Sequence, residues 1–117
     1  MTHSSLLHGD LTPSNILLKD GRLAGFIDPD PIGGDGLYDL AYLLTSSPVL
    51  STRIYEELAL ETYLQRKPTD DEIIKWNIYK GLSLVKQTSA AIKWNPGDLN
   101  LPALINKLQN VFEGALR

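Results

Sequence analysis

The sequence predicts an α+β fold that is predominantly α-helical, with a loop and a short β-hairpin followed by about four helices. Two observations predict it. Asp20-Gly21 stands between two apolar runs, which is the strongest short-range signal for a β-hairpin. From residue 37 onward, apolar residues recur at helical spacing, with proline and glycine between the segments. A length of 117 residues is typical of one domain, so we expect a single domain over residues 1–117.

The hairpin is expected to lie between two loops. Residues 7–14 contain glycine and proline and predict a loop, which leads into a first strand over residues 15–19. The return strand is expected over residues 23–28, where apolar residues dominate again. Residues 29–36 are rich in proline and glycine and predict a second loop before the first helix.

The first two helices are predicted from their start and stop signals. The first is expected over residues 37–46, and it ends before Pro48. Ser51 is expected to cap the second helix, which runs to about residue 66. One face of this second helix carries the apolar residues Ile54, Tyr55, Leu58, Ala59 and Tyr63.

A capping box predicts the start of the third helix, with Thr69 as the cap and Glu72 reaching back to it. Gly81 lies inside this helix, where glycine costs about 1 kcal/mol relative to alanine, so we expect close helix packing there. Asn95-Pro96-Gly97 is expected to end the helix. The apolar residues at helical spacing are Ile74, Ile78, Leu82, Val85 and Ile92 in the third helix and Leu101, Leu104, Ile105, Leu108, Phe112 and Leu116 in the last.

The composition excludes several classes of protein. The net charge is −3 and the pI is about 5.2, so the chain lacks the basic surface of a nucleic-acid-binding protein. It contains no cysteine, which excludes disulfides, thiol catalysis and cysteine–zinc sites and permits a reducing compartment. The first residues do not predict a signal peptide, and no apolar run approaches the roughly 20 residues of a membrane span. We therefore expect a cytoplasmic protein that binds neither nucleic acid nor membranes.

The residues most informative about chemistry lie in the first loop and the hairpin. His8-Gly9-Asp10 is followed five residues later by Asn15, and Asp28 ends the return strand. Because the two ends of an antiparallel pair are neighbours, Asn15 and Asp28 are expected at the same edge. Carboxylate and amide oxygens suit Mg²⁺, and such ions hold the polyphosphate in phosphoryl transfer. Taken alone, Asp10 also suits a turn-capping acid, and Asn15 an ordinary turn residue.

Together with Ile27-Asp28 and Asp39-Leu40-Ala41, this pattern resembles the C-terminal lobe of the aminoglycoside phosphotransferase-like kinases. That superfamily includes choline-kinase-like and fructosamine-kinase-like enzymes and is distantly related to protein kinases. The similarity is strong over residues 6–45 and weak over 46–117, where the helical pattern alone is shared. The resemblance implies a protein-kinase-like C-lobe that transfers phosphate to the hydroxyl of a small molecule, with ATP and Mg²⁺ as cofactors.

The resemblance also implies roles for three of these residues. Asp10 would accept or orient the proton of the acceptor hydroxyl and is the expected catalytic residue. Asn15 and Asp28 would ligate Mg²⁺ and, through it, the nucleotide phosphates. Mg²⁺ keeps several waters, so two protein ligands plus phosphate oxygens suffice.

Other residues near the motif are expected to be structural. By resemblance, His8 packs under the loop and bonds backbone groups instead of serving as an acid or base, and Gly9 allows a crowded backbone conformation. Asp39 resembles the structural acid that hydrogen-bonds the catalytic loop, although a helix-start acid beside the helix dipole is an alternative. Asp30 and Asp35 are expected to be solvated loop acids, with contact to a cationic acceptor or a metal as the alternative. The tryptophans and tyrosines are expected to fill the core and surface.

The resemblance covers only part of the family fold. The N-terminal lobe of the family fold contains a β-sheet, a phosphate-covering loop and a nucleotide-binding lysine. None of these fits into the residues that precede the loop over residues 7–14. We therefore expect a truncated lobe with little activity alone. Thr12 and Ser14 depart from the usual motif and blur the subfamily. The resemblance implies that helices and loops of the second half choose the acceptor, and the sequence gives no local rule there, so aminoglycosides, ketoamines, choline-like alcohols and homoserine all stay open as acceptors.

Two other functions are compatible with the sequence. A lone lobe would expose apolar surface, which favours a non-catalytic helical interaction module that self-associates or pairs with a separate chain carrying the N-terminal lobe. A metal-dependent phosphohydrolase is a third possibility. Such enzymes gather several histidines and acids around two metals, and this chain has only His3 and His8.

Overall fold

The structure is a computed structural model that describes residues 5–94, 97 and 100–116. It confirms an α+β fold that is predominantly helical. The elements are β1 (Ser5–Leu7), β2 (Ile16–Lys19), β3 (Arg22–Phe26), β4 (Ile32–Gly34), α1 (Gly36–Ser46), α2 (Arg53–Leu64), α3 (Asp70–Trp94) and α4 (Leu101–Leu116). Within the described ranges, no helix combines the length and the apolar character needed to cross a membrane.

The predicted hairpin is present as β2 and β3, which pair antiparallel with Lys19 opposite Arg22. Its turn is Asp20-Gly21, and both residues have positive φ, 52° and 74°. This is the backbone that a two-residue type I′ turn requires, and it explains why Asp-Gly is preferred there. The position of the hairpin is therefore explained by a local turn signal.

A second small sheet was not predicted. β1 and β4 pair antiparallel, with Leu7 opposite Ile32, although residues 29–36 were expected to be loop. The expectation was wrong because each strand is only three residues long and its partner lies far away in the sequence. Local pattern reading detects runs of four or more residues, not such short distant pairs.

The first helix begins one residue earlier than predicted, and its cap is Asp35. The Asp35 carboxylate accepts a hydrogen bond from the Leu37 N–H at 3.0 Å and also contacts Lys75 Nζ at 3.1 Å. The expectation that Asp35 is a solvated loop acid was therefore wrong. Behind this cap, α1 packs against α3 and forms the core, whose buried members are Leu37, Ala41, Leu44, Leu60 and Trp76.

The second helix differs from its prediction at its start and in its buried face. It begins at Arg53, and Ser51 is not its cap, because the Ser51 hydroxyl donates to the carbonyl oxygen of Ser47 at 2.7 Å. Leu60 is the buried residue of α2. The predicted apolar face is largely exposed, including Ile54 at 77% and Leu58 at 60%.

The third helix starts as predicted. The Thr69 N–H donates to Glu72 Oε1 at 2.9 Å, and the Glu72 N–H donates to Thr69 Oγ1 at 3.3 Å, which is the reciprocal capping box. The buried residues of α3 are Trp76, Gly81, Ser83 and Leu84, and the expected packing at Gly81 agrees with this burial. The residues at helical spacing in the prediction are instead about half exposed: Ile74, Ile78, Leu82, Val85 and Ile92.

Some of the predictions for the end of the third helix and for the last helix fall outside the described residues. Asn95 and Pro96, which were expected to end the third helix, lie outside the described residues. The predicted last helix is present and begins at Leu101. For four of its predicted apolar residues, Leu101, Leu104, Phe112 and Leu116, the side chains lie outside what the structure describes.

Candidate active site

The loop before the hairpin is held by an acid from α1. Asp39 lies in the first turn of that helix, and its two carboxylate oxygens accept hydrogen bonds from the backbone N–H groups of His8 at 2.8 Å and Gly9 at 3.0 Å. Hydrogen bonds to a charged acceptor are among the stronger ones in proteins. The two bonds fix the backbone just before Asp10.

The His8 ring binds backbone on both sides. Its Nε2 donates to the carbonyl oxygen of Ile27 at 2.8 Å, and its Nδ1 accepts from the N–H of Asp10 at 3.2 Å. This pattern selects the neutral tautomer with the proton on Nε2. Nε2 therefore joins the loop to the end of the hairpin, Nδ1 bonds within the loop, and neither nitrogen is left for proton transfer.

Gly9 is required by a close approach of two backbone segments. Its φ is 84°, and a Cβ there would overlap the carbonyl oxygen of Asp30. The same segments are joined by a hydrogen bond from the Asp30 N–H to the His8 carbonyl oxygen at 2.8 Å. A positive φ and a backbone carbonyl against Cα together leave glycine as the residue that fits.

Asp10 is partly buried and is held at several atoms. The Tyr42 hydroxyl donates to Asp10 Oδ1 at 2.6 Å, and the Asn15 amide nitrogen donates to the Asp10 carbonyl oxygen at 2.9 Å. Burial and the hydrogen bond to Asp10 raise the pKa of Tyr42 well above its usual value. The phenol therefore stays protonated and keeps donating to the carboxylate at neutral pH.

The hairpin brings Asn15 and Asp28 to one end. A short 3-10 turn over Pro13–Asn15 precedes β2, and the Asn15 carbonyl oxygen accepts from the Ile27 N–H at 2.9 Å. This bond extends the hairpin pairing by one step beyond Phe26, so Asp28 follows directly after the residue paired with Asn15. Asp28 is exposed and has a left-handed backbone, with φ at 50°.

Asn15 and Asp28 offer oxygen donors that fit a hard divalent cation. Because the Asn15 amide nitrogen is used by the Asp10 carbonyl, the amide oxygen is the end available to an ion. Mg²⁺ takes one or two protein oxygens and keeps several waters, so this pair is a sufficient contribution from the chain. Among the described residues, no group of three or more His, Asp or Glu is arranged to hold a metal. An ion bound here would complete its shell with oxygens from outside the chain.

A lysine from α3 also reaches the loop. Lys86 Nζ donates to the Gly9 carbonyl oxygen at 2.6 Å and to Asp30 Oδ2 at 2.9 Å. Its Nζ also lies 5.7 Å from the centre of the Tyr42 ring. Asp30, expected to be a solvated loop acid, is exposed but takes part in this ion pair. Lys86 therefore ties the loop to the segment after the hairpin.

Sequence reasoning missed both Tyr42 and Lys86. Tyr42 was expected to fill the core or surface, although it lies three residues after Asp39 and so on the same face of α1, which was a usable signal. Lys86 is 77 residues from Gly9, and no local pattern connects them.

Comparisons with known proteins give a consistent family match. A profile of the phosphotransferase enzyme family (APH) matches residues 2–73, which is more than half of the chain. Over 59 residues the chain is 41% identical to an aminoglycoside 3'-phosphotransferase from Enterococcus faecalis. The matched segment covers 50% of this chain and 20% of that relative, so the chain spans about a fifth of the relative's length. No solved structure matches the chain.

Proposed function

Because this chain belongs to the phosphotransferase enzyme family, we propose that it carries the catalytic base and the metal ligands of an ATP-dependent kinase. The substrate class is a small molecule with a free hydroxyl. In this proposal residues 1–117 form one domain that corresponds to the C-terminal lobe of a protein-kinase-like fold. ATP as the phosphoryl donor also favours a cytoplasmic location.

The observation that carries the proposal is the way the loop presents Asp10. Its backbone is fixed by Asp39 and His8, and one carboxylate oxygen is fixed by Tyr42. Phosphoryl transfer depends mainly on positioning and on neutralising charge, so a rigidly held acid suits it. Asp10 accepts or orients the proton of the acceptor hydroxyl.

Asn15 and Asp28 hold the ion that accompanies the nucleotide. When bound, Mg²⁺ neutralises charge on the phosphates, and ATP supplies the phosphoryl group. The exposed position of Asp28 and the free oxygen of the Asn15 amide support this assignment. His8 and Gly9 shape the loop and take no part in proton transfer.

The extent of the match bears on activity. Since the matched segment covers 20% of the aminoglycoside 3'-phosphotransferase, we expect little turnover from these 117 residues alone. Much of an enzyme's rate comes from positioning both reactants, and a lone lobe would not clamp the nucleotide. Aminoglycosides, ketoamines, choline-like alcohols and homoserine are the acceptors to test.

Ion binding gives a test that does not depend on turnover. Mn²⁺ replaces Mg²⁺ in oxygen sites and broadens NMR signals near it. We expect Mn²⁺ added with ATP to broaden the backbone signals of Asn15 and Asp28 first, and we expect Asp28→Asn to remove this selectivity.

Asp20→Asn is the matched control for that variant. Asp20 and Asp28 are both exposed and both have positive φ, 52° and 50°, which asparagine tolerates. Asp20 lies at the turn, at the opposite end of the hairpin, so its variant should keep the wild-type broadening. Broadening that spreads evenly over exposed acids, or that survives Asp28→Asn, would rule out the proposed metal site.

A second candidate function is self-association, and an apolar groove favours it. The groove lies between α1 and α2 and has a volume of about 430 Å³. Its lining is Leu40, Leu43, Leu44, Leu50, Tyr55, Leu58, Ala59, Thr62 and Tyr63. Leu58, in the wall of the groove, is 60% exposed, and Ile54 on the same helix is 77% exposed. A twofold axis beside α2 would bring these exposed apolar side chains of the two copies together.

Sedimentation equilibrium tests this second function. We expect a dimer that Leu58→Lys converts to a monomer, because a charge in the groove wall would then be buried against the apolar surface of the second copy. Leu18→Lys is the matched control, since Leu18 is 69% exposed, close to the 60% of Leu58, and lies on β2 away from the groove. A monomeric wild-type chain at high concentration would exclude self-association.

A further inference from the structure

The hydroxyl of Tyr42 is tied directly to the proposed base. Tyr42 is 3% exposed, so its hydroxyl needs a partner inside the protein. That partner is Oδ1 of Asp10, at 2.6 Å. A hydroxyl bonded to a carboxylate makes a charge-assisted bond about twice as strong as one between neutral groups. The contact therefore constrains the carboxylate as well as satisfying the phenol.

Most other polar atoms of Asp10 are also engaged. Its N–H donates to His8 Nδ1, and its carbonyl oxygen accepts from the Asn15 amide. Within the part of the chain that the structure describes, Oδ2 is the polar atom of Asp10 that lacks a partner. The backbone and one carboxylate oxygen are thus fixed, and the second carboxylate oxygen is free to meet a substrate.

We infer that Tyr42 is a positioning residue that holds the Asp10 carboxylate in one rotamer and so presents Oδ2 to the acceptor hydroxyl. This inference rests on the proposed function, because the acceptor hydroxyl that Oδ2 would meet is part of that proposal. Asp39 and Tyr42 lie three residues apart on α1, so one helix sets both the loop backbone and the side-chain orientation. A base that rotates freely is oriented for reaction only part of the time.

The tyrosine hydroxyl is tested with Tyr42→Phe, which removes the donor and keeps the ring. Three-bond NMR couplings report the rotamer of Asp10 in the 117-residue chain. We expect one rotamer in the wild-type chain and averaged couplings in Tyr42→Phe. The matched control is Tyr38→Phe, since Tyr38 lies one turn earlier on α1 with its ring centre 6.1 Å from that of Tyr42. This control should keep the single rotamer.

Two outcomes would overturn the inference. Asp10 couplings that are the same in Tyr42→Phe and in the wild-type chain would show that the hydroxyl does not orient the carboxylate. The second measurement uses the unaltered chain and so does not depend on the variant folding. We expect a nuclear Overhauser contact between the Tyr42 hydroxyl proton and the Asp10 β-protons, and its absence would also overturn the inference.

Failure of the proposed function is distinguishable from failure of the positioning role. Tyr42→Phe should retain Mn²⁺–ATP broadening at Asn15 and Asp28, because neither ligand is altered. If the wild-type chain has one Asp10 rotamer but shows no selective broadening, the metal site is contradicted. The positioning role of Tyr42 is then still supported. Selective broadening with an averaged Asp10 rotamer would contradict the positioning role and leave the metal site intact.

Discussion

Gly9 is the loop residue at which a single added carbon has the largest expected effect. Gly9 and Gly21 both have positive φ, 84° and 74°, so alanine at either position costs about 1 kcal/mol of backbone strain. A Cβ on Gly9 would also overlap the Asp30 carbonyl oxygen, whereas Gly21 has open space around it. We expect Gly9→Ala to lower the free energy of unfolding by about 3 kcal/mol and Gly21→Ala by about 1 kcal/mol.

Urea unfolding of the two alanine variants measures this difference. Both substitutions change the unfolded chain in the same way, so the difference between them isolates the contact in the folded state. Equal losses of stability would mean that the loop and the Asp30 segment do not approach each other as described.

Asp10 and Asn15 show how much about single residues could be predicted from the sequence. The motif and its spacing identified the residues that the structure places in the loop and at the end of the hairpin. Their contacts depend on groups that local sequence does not link to them, such as the Tyr42 hydroxyl. The placement of these motif residues in a loop and at the end of the hairpin was therefore predictable, and the residues that contact them from other elements were not.

At the scale of elements, the start of α3 is expected to depend on pH. The guanidinium of Arg66 and the backbone N–H of Thr69 lower the pKa of Glu72 from 4.5 to about 2. Because the folded-state pKa is depressed, the contribution of the carboxylate is present above pH 4.5 and is lost as the pH falls toward about 2. A carboxyl ¹³C titration of Glu72 should give its midpoint near 2.

Arg66→Met should move that midpoint back toward the usual range, because the largest cause of the shift is removed. Arg53→Met is the control, since Arg53 pairs with Glu57 on α2 and does not touch Glu72. A Glu72 midpoint that stays near 2 in Arg66→Met would show that the ion pair is not the cause.

Lys86 makes α3 part of the support of the loop. Lys86→Met keeps the alkyl stem but removes the bonds to the Gly9 carbonyl and to Asp30. One hydrogen bond contributes about 0.5–1.5 kcal/mol, so exchange of the Asp30 amide, which is bonded to the His8 carbonyl, should become roughly two- to tenfold faster. Amide hydrogen exchange followed by NMR measures the rate at the Asp30 amide.

Lys93→Met is the control for that measurement. Lys93 lies on the same helix, with its Nζ 5.1 Å from the Trp94 ring centre. The Asp30 amide should exchange at the wild-type rate in this variant. Unchanged exchange in Lys86→Met would show that the lysine contributes nothing to holding the two segments together.

Secondary structure was predictable where its signals were local. The Asp-Gly turn and the capping box at Thr69 each lie within four residues, and both are present. The β1–β4 sheet was missed because its strands are three residues long and are separated by the whole hairpin. Ser51 was misassigned because the serine hydroxyl can also donate to a preceding carbonyl oxygen, as it does here to Ser47.

At the scale of the whole molecule, periodicity did not identify the core of α3. Apolar residues lie on more than one face of this helix, and the face that tertiary packing buries includes Trp76 and Leu84. Leu84 is 3% exposed, whereas Leu82 is 48% exposed. Which of two apolar faces is buried depends on tertiary contacts, and spacing along one helix does not contain that information.

Two leucine truncations test this assignment of the core. We expect Leu84→Ala to lower the free energy of unfolding by about 2–5 kcal/mol, as buried leucines do, and Leu82→Ala by less than about 1 kcal/mol. Urea unfolding measures both. Similar costs would mean that the Leu82 side of α3 is covered as well.

The tie between Lys86 and Gly9 imposes an order on events during translation. Gly9 leaves the ribosome 77 residues before its partner does. At roughly 5–20 residues per second, this delay is about 4–15 seconds, far longer than the microseconds in which a hairpin closes. In a nascent chain the β2–β3 turn therefore forms early, and the loop gains its contact with Lys86 late. A product of premature termination before α3 would contain the whole motif but lack Lys86.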